Sequence, residues 1–164
     1  MSNTETEAYE AMLAHHQDLE ENVAIRVAAL AGAVAAGSAH LAPTAELVAY
    51  LTDKVIPHAL AEEQTIYRVA RTHAGLAETV TEMIDEHRSL ASAITQLSDA
   101  STGSDAVRQA ESISALFGAH VAKENELLLP SLLADDEVDL RQLLAQMQRL
   151  TESAHEDQHP TPKG

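Results

Sequence analysis

Three observations predict an all-α fold. Ala and Leu dominate the chain of 164 residues, and both are strong helix formers. Gly and Pro fall at a few points and divide the chain into segments. Within each segment apolar residues recur in alternating steps of three and four, the period of one helix face, and no segment shows a period of two. Together these predict an up-down antiparallel four-helix bundle with a short additional C-terminal helix. The length suits one ordinary domain, expected over residues 1–153, with 154–164 as a polar, disordered tail.

The first helix is expected near 5–36, on the stripe Met12, His16, Leu19, Val23, Val27, Leu30 and Val34. The second, near 44–73, carries Leu47, Leu51, His58, Glu62, Ile66 and Val69. The third, near 75–99, carries Leu76, Val80, Met83, His87, Leu90, Ile94 and Leu97. The fourth, near 104–133, carries Val107, Ala110, Ile113, Phe117, His120, Glu124 and Leu127. A fifth helix near 137–152 is expected on the outside. The connectors are short: Gly37 to Pro43, the corner at His73-Ala74-Gly75, and Ser101 to Asp105, which supplies a turn and an N-cap. Such connectors set neighbouring helices antiparallel. Pro57 and Pro130 fall inside helical patterns. Each removes an intrahelical hydrogen bond and is expected to bend its helix.

Composition excludes several classes of function. The 26 Asp and Glu against 10 Lys and Arg give a formal charge of -16, which repels phosphate backbones and anionic membrane surfaces, so neither nucleic acid nor membrane is an expected partner. With no Cys, disulfides, iron–sulfur clusters and thiolate chemistry are ruled out. No Trp and a single Phe leave an aliphatic core. The stretch Met1 to Glu7 is acidic and polar, without a signal-peptide pattern, and the longest mostly apolar run, Val23 to Ala36, is interrupted by Arg26. A soluble, cytoplasmic protein is expected. Nine His beside so many carboxylates point to metal ligation through nitrogen and oxygen.

Six polar residues stand on the apolar stripes where Leu or Val would be expected: His16, His58, Glu62, His87, His120 and Glu124. A buried carboxylate is costly unless paired or metal-bound, and two that face each other are worse. Four imidazoles and two carboxylates directed into one bundle call for a cation. His58 and Glu62 are four residues apart, as are His120 and Glu124, so each pair shares a helix face. Roughly one His-x-x-x-Glu is expected by composition alone, so order carries more weight than any single pair. The chain reads as two halves, each a single-His helix followed by a His-x-x-x-Glu helix, with Leu three residues after the single His in both. That shared Leu favours His16 over its neighbour His15, which points about 100° away. A two-helix unit used twice around one centre suggests two metals.

His40 is read as a loop residue, His73 as a helix C-terminal residue, and His155 and His159 as tail residues. Tyr9, two turns before His16, is read as core. Tyr67, five residues after Glu62, is expected to face a neighbouring helix rather than the metal. Glu63 and Glu126 are read as solvated groups or as groups that orient a ligand His. The Glu-x-x-His order of ferritin-like sites does not occur at matched positions.

This arrangement resembles the hemerythrin-like family, the HHE cation-binding domain, over about residues 8–135. The stretches that carry the likeness are His15 to Leu19, Pro57 to Glu63, Glu86 to Leu90 and His120 to Pro130. The resemblance implies a four-helix bundle around two non-haem iron ions, joined by an oxo or hydroxo bridge. His16, His58, His87 and His120 would be ligands, with Glu62 and Glu124 bridging. Manganese or zinc would also suit these donors. Oxygen-carrying members have a second His on the third helix, one turn from the first; here those positions hold Met83 and Ala91. Each iron is then about one ligand short, which favours activation of dioxygen, peroxide or nitric oxide over reversible carriage. Glu20, one turn after His16, is a reserve ligand. The implied function is binding of a small diatomic or peroxide ligand for sensing, storage or detoxification, with an electron donor as a further partner. A di-iron enzyme (peroxide decomposition, nitric oxide reduction or substrate oxidation) and an iron-storage protein are the alternatives. The oligomeric state stays open.

Overall fold

The computed structural model describes residues 3–73 and 75–158. All regular structure among them is helical: α1 (Asn3–Ala35), α2 (Leu41–Tyr50), a π turn (Leu51–Val55), α3 (Ile56–Gln64), α4 (Ile66–Ala70), α5 (Ala77–Ser98), α6 (Gly103–Lys123), a second π turn (Glu124–Leu128), α7 (Leu129–Leu133) and α8 (Leu140–Gln158). These form five rods, since α2 to α4 run on from one another, as do α6 and α7. Four rods lie where the stripes place them. The fifth, α8, runs on to Gln158, past the expected end at 152. His159 and the rest of the tail, the side chain of His155, and Ala74 lie outside the described residues. Among the described residues no helix is long and apolar enough to cross a membrane.

The rods pack in a consistent order. Helix α1 lies against α6 and α2, α5 against α6 and α2, and α8 covers α1 and α3. Chain reversals use left-handed glycines, Gly37 at φ 71° and Gly75 at φ 88°, a conformation that costs glycine little. Thr102 caps α6 as expected, its hydroxyl accepting from the Asp105 N–H at 3.1 Å.

The prolines act through the π turns. Pro57 has no N–H to give to Asp53, and the N–H of Ile56, just before it, bonds back five residues to Leu51. At Pro130 the pattern repeats: the Leu129 N–H bonds to the Glu124 carbonyl. A widened turn beside each proline absorbs the missing bond. Each also inserts one residue into the helical register. Leu127, expected on the buried stripe, is therefore 44% exposed, while Leu128 is fully buried.

Two apolar cores result. One gathers Leu19, Val23, Leu30, Leu51, Leu90, Ile94, Ile113 and Phe117. The other gathers Met12, Ile66, Tyr67, Val80, Met83, Leu128, Leu129 and Leu132. On each of the first four rods the residues between these cores are polar.

Candidate metal centre

His16, His58, Glu62, His87, His120 and Glu124 form that polar layer, and all six are buried. Each comes from its rod by the mechanism that made the stripe: His16 lies between Met12 and Leu19 on α1, and His87 between Met83 and Leu90 on α5. His58 and Glu62 share one face of α3. His120 closes α6, and Glu124 opens the second π turn.

The ligand atoms fall into two groups. One atom each from His16, His58, Glu62 and Glu124 lies within 4.8 Å of the others, and so do atoms from Glu62, His87 and His120. Glu62 faces both groups, with Oε1 at 3.0 Å from His58 Nε2 and 3.4 Å from His16 Nε2, and Oε2 at 3.8 Å from His87 Nε2. Glu124 does the same, with Oε2 at 3.5 Å from His16 Nε2 and Oε1 at 3.6 Å from His120 Nε2. His87 Nε2 and His120 Nε2 are 3.0 Å apart. Two donors on perpendicular axes, each about 2.1 Å from one ion, would be about 3 Å apart, so the layer has the scale of a coordination shell.

Its electrostatics fit a cation. His16 Nε2, His58 Nε2, Glu62 Oε1 and Glu124 Oε2 are buried and lack an aligned hydrogen bond, a state that costs roughly 1–3 kcal/mol per group when nothing fills it. Burial alone would push His16 down, but contact with Glu62 and the charge of Glu124 outweigh it and raise it to about 9. His120 is likewise raised to about 9, against its burial, chiefly by Glu124. Glu62 is held well below the usual carboxylate range: burial opposes this, but His58 and His16 win. In the metal-free chain protons do part of the work a cation would do.

The far nitrogens of three histidines are anchored. His16 Nδ1 meets Asn125 Oδ1 at 2.6 Å, His87 Nδ1 meets Glu63 Oε1 at 2.8 Å, and His120 Nδ1 meets Glu86 Oε2 at 2.8 Å. Lys123 in turn donates to Glu86. Such contacts fix the ring and leave Nε2 free to bind a metal. Glu63 thus takes the orienting role considered for it, whereas Glu126 is exposed. His58 Nδ1 has no hydrogen-bond partner among the described residues.

Tyr67 corrects the sequence reading. It is fully buried, and its hydroxyl donates to Glu124 Oε1 and lies 3.1 Å from His120 Nε2 and 3.5 Å from His87 Nε2. Five residues after Glu62 on an unbroken helix it would point elsewhere. The helix breaks at Thr65, whose backbone leaves the helical region (φ -120°, ψ -85°) and whose hydroxyl bonds the Ala61 carbonyl at 2.6 Å. The break turns α4 so that Ala70, not Val69, is fully buried and Tyr67 enters the layer. Burial and the charges of Glu62 and Glu124 raise the phenol far above its ordinary value, so it keeps its proton and donates.

The other candidates stay outside. His15 is exposed and rests its ring against His58, centroids 4.9 Å apart. Glu20 is half-buried against Gly118, and burial, opposed by His16, raises its carboxyl. Tyr9 donates to the Asn125 carbonyl at 3.3 Å and packs against the second core. His73 pairs with Asp135 at 3.0 Å. His40 sits at the N-cap of α2. Sequence reasoning missed Asn125, Glu86 and Tyr67. Glu86 and Asn125 adjoin site residues in sequence, but the histidine each serves is on another rod, so no spacing within one helix reveals them.

Comparison with known proteins agrees with the geometry. No curated protein and no solved structure matches the chain significantly. The family model described as Hemerythrin HHE cation binding domain matches residues 7–132, a span that holds all six residues of the polar layer, and the chain belongs to that family.

Proposed function

We propose that this is a non-haem di-iron protein that binds dioxygen, peroxide or nitric oxide at the His/Glu layer, in sensing, storage or detoxification. The observation that carries the reading is the pair of carboxylates, each with one oxygen toward His16 and the other toward the His87/His120 side. That is the disposition bridging ligands need, and it sits well in an up-down antiparallel four-helix bundle with α8 added outside.

On this reading His16 and His58 hold one ion, His87 and His120 the other, and Glu62 and Glu124 join them. Bound iron supplies one-electron redox at each ion and open positions for a small ligand. The protein's residues set what may enter and how protons are held. Val55, Leu90 and Phe117 close the layer into a small chamber of about 10 Å³, roughly one water-sized space, so the layer is dry and any ligand that reaches it must be small. Asn125, Glu63 and Glu86 hold three imidazoles in the ligating tautomer. Tyr67 stands at the His87/His120 side as a further oxygen donor or as a proton donor to a small ligand.

An enzyme that turns over peroxide or nitric oxide is the second reading, favoured by Tyr67, because a phenol proton held beside His87 and His120 would suit reduction of an oxygen ligand there. Metal analysis and spectra of protein made with ample iron test both. Two irons per chain and a spectrum that answers to oxygen, peroxide or nitric oxide are expected; no more than trace iron would overturn the proposal. Return to the starting spectrum on removal of the ligand means binding, while steady consumption means catalysis. Occupancy that follows iron supply with no response to any small ligand would instead mean storage.

A further inference from the structure

The chain has 10 Lys and Arg against 26 Asp and Glu, and one of those few cations stands behind a residue of the metal layer. Lys123 follows His120 by three residues at the end of α6, a spacing that puts both on one helix face. Both side chains reach across to Glu86 on α5, and they take separate oxygens. His120 Nδ1 lies 2.8 Å from Oε2, and Lys123 Nζ donates to Oε1. Glu86 and Lys123 are half-buried, so water screens the pair only in part. His87 supplies the comparison. Its Nδ1 meets Glu63 Oε1 at the same 2.8 Å, and among the described residues Glu63 forms its ion pair with that histidine alone. A carboxylate behind a ligating imidazole makes it a stronger donor. An ammonium on the other oxygen draws on the same charge and lessens what reaches the ring.

We propose that Lys123 is a positioning residue of the metal centre, which through Glu86 holds His120 to a donor strength between that of His87, backed by an unshared carboxylate, and that of His16, backed by a neutral amide. With iron bound, the weakened His120 favours the ferrous state of the ion on that side. This rests on the metal reading above, in which His120 binds an ion through Nε2 and keeps its proton on Nδ1.

Zinc suits the same donors and is diamagnetic, so the test uses the full chain loaded with zinc, as parent, Lys123→Met and Lys123→Arg. Proton NMR follows the Nδ1–H signals of His120 and His87, and competition with a chelator measures zinc affinity. In Lys123→Met the His120 signal should move downfield as its bond to Glu86 strengthens, while the His87 signal stays in place. Zinc should bind more tightly, by less than the about 10–100-fold that a whole supporting group contributes, and Lys123→Arg should behave as the parent. The iron-loaded Lys123→Met chain should show a lower reduction potential. An unmoved His120 signal, an equal shift at His87, or weaker zinc binding, as when Lys123 only keeps Glu86 in place, overturns the inference. Trace iron beside bound zinc and a Lys123-dependent His120 signal would sink the di-iron reading and leave the role of Lys123 standing; two irons with an unmoved signal would do the reverse. A chain that takes up neither metal overturns both.

Discussion

Replacing Tyr67 by Phe isolates one hydroxyl. The ring stays in the second core and keeps its stacking on His87, centroids 5.4 Å apart at 12°. What is lost is the donor to Glu124 Oε1, whose nearest remaining basic partner is His120 Nε2 at 3.6 Å. A buried hydrogen bond to a charged group contributes about 1.5–3 kcal/mol. For a domain of this size each kcal/mol moves Tm by about 2–4 °C, so a fall of roughly 3–12 °C is expected in the metal-free chain. Thermal unfolding followed by circular dichroism measures it. Iron content and the visible spectrum of the loaded variant then separate two roles. A ligand role changes the ferric spectrum, whereas a proton-donor role slows ligand turnover and leaves the resting spectrum alone. A metal-free Tm within about 1 °C of the parent would refute the assignment of a strong Tyr67–Glu124 bond.

Three further outcomes follow from the geometry. In the metal-free chain His16 and His120 titrate near 9 against about 6.5 when unfolded. Their protons therefore stabilise the fold fully below about pH 6.5, and that contribution is lost as pH rises to about 9; Glu62, depressed, contributes above its unfolded value and loses its share in acid. The metal-free Tm should fall between pH 6.5 and 9 while apparent metal affinity rises over the same window, and a flat metal-free Tm would contradict the raised values. Glu86→Gln and Asn125→Ala loosen His120 and His16 and should weaken metal binding about 10–100-fold, read by competition with a chelator; unchanged affinity would show that these contacts are incidental. Leu128→Ala should cost about 2–5 kcal/mol in denaturant unfolding, and Leu127→Ala within about 0.5 kcal/mol; the reverse order would remove the π turn from the fourth rod.

What was legible in the sequence was what one helix can encode. The stripes placed the rods, and the six polar residues on them were visible because each interrupts an apolar series in its own segment. Three kinds of feature were not legible. The π turns displaced Leu127 and buried Leu128, since a proline tells that a hydrogen bond is missing but not how the helix makes room for it. The break at Thr65 rotated Tyr67 into the layer, and a five-residue spacing counted on a straight helix sends it outward. Asn125 and Glu86 act on histidines of other rods, a relation that exists only after packing.

These features, together with Glu63, make the two halves unequal. The ligand residues repeat, but their support does not. His87 and His120 each rest on a carboxylate, Glu63 and Glu86, and share the Tyr67 hydroxyl. His16 rests on a neutral amide, and the far nitrogen of His58 on no partner among the described residues. A carboxylate behind an imidazole makes it a stronger donor, and the Tyr67 hydroxyl holds the Glu124 carboxylate on that side. The His87/His120 side is thus the better furnished one. The His16/His58 side is left with the weaker donors, and it borders a cavity between α1 and α8 through His58. On the di-iron reading proposed above, this difference would let one ion be held more firmly than the other; it comes from one helix break and two acidic neighbours, with the repeated ligand pattern untouched.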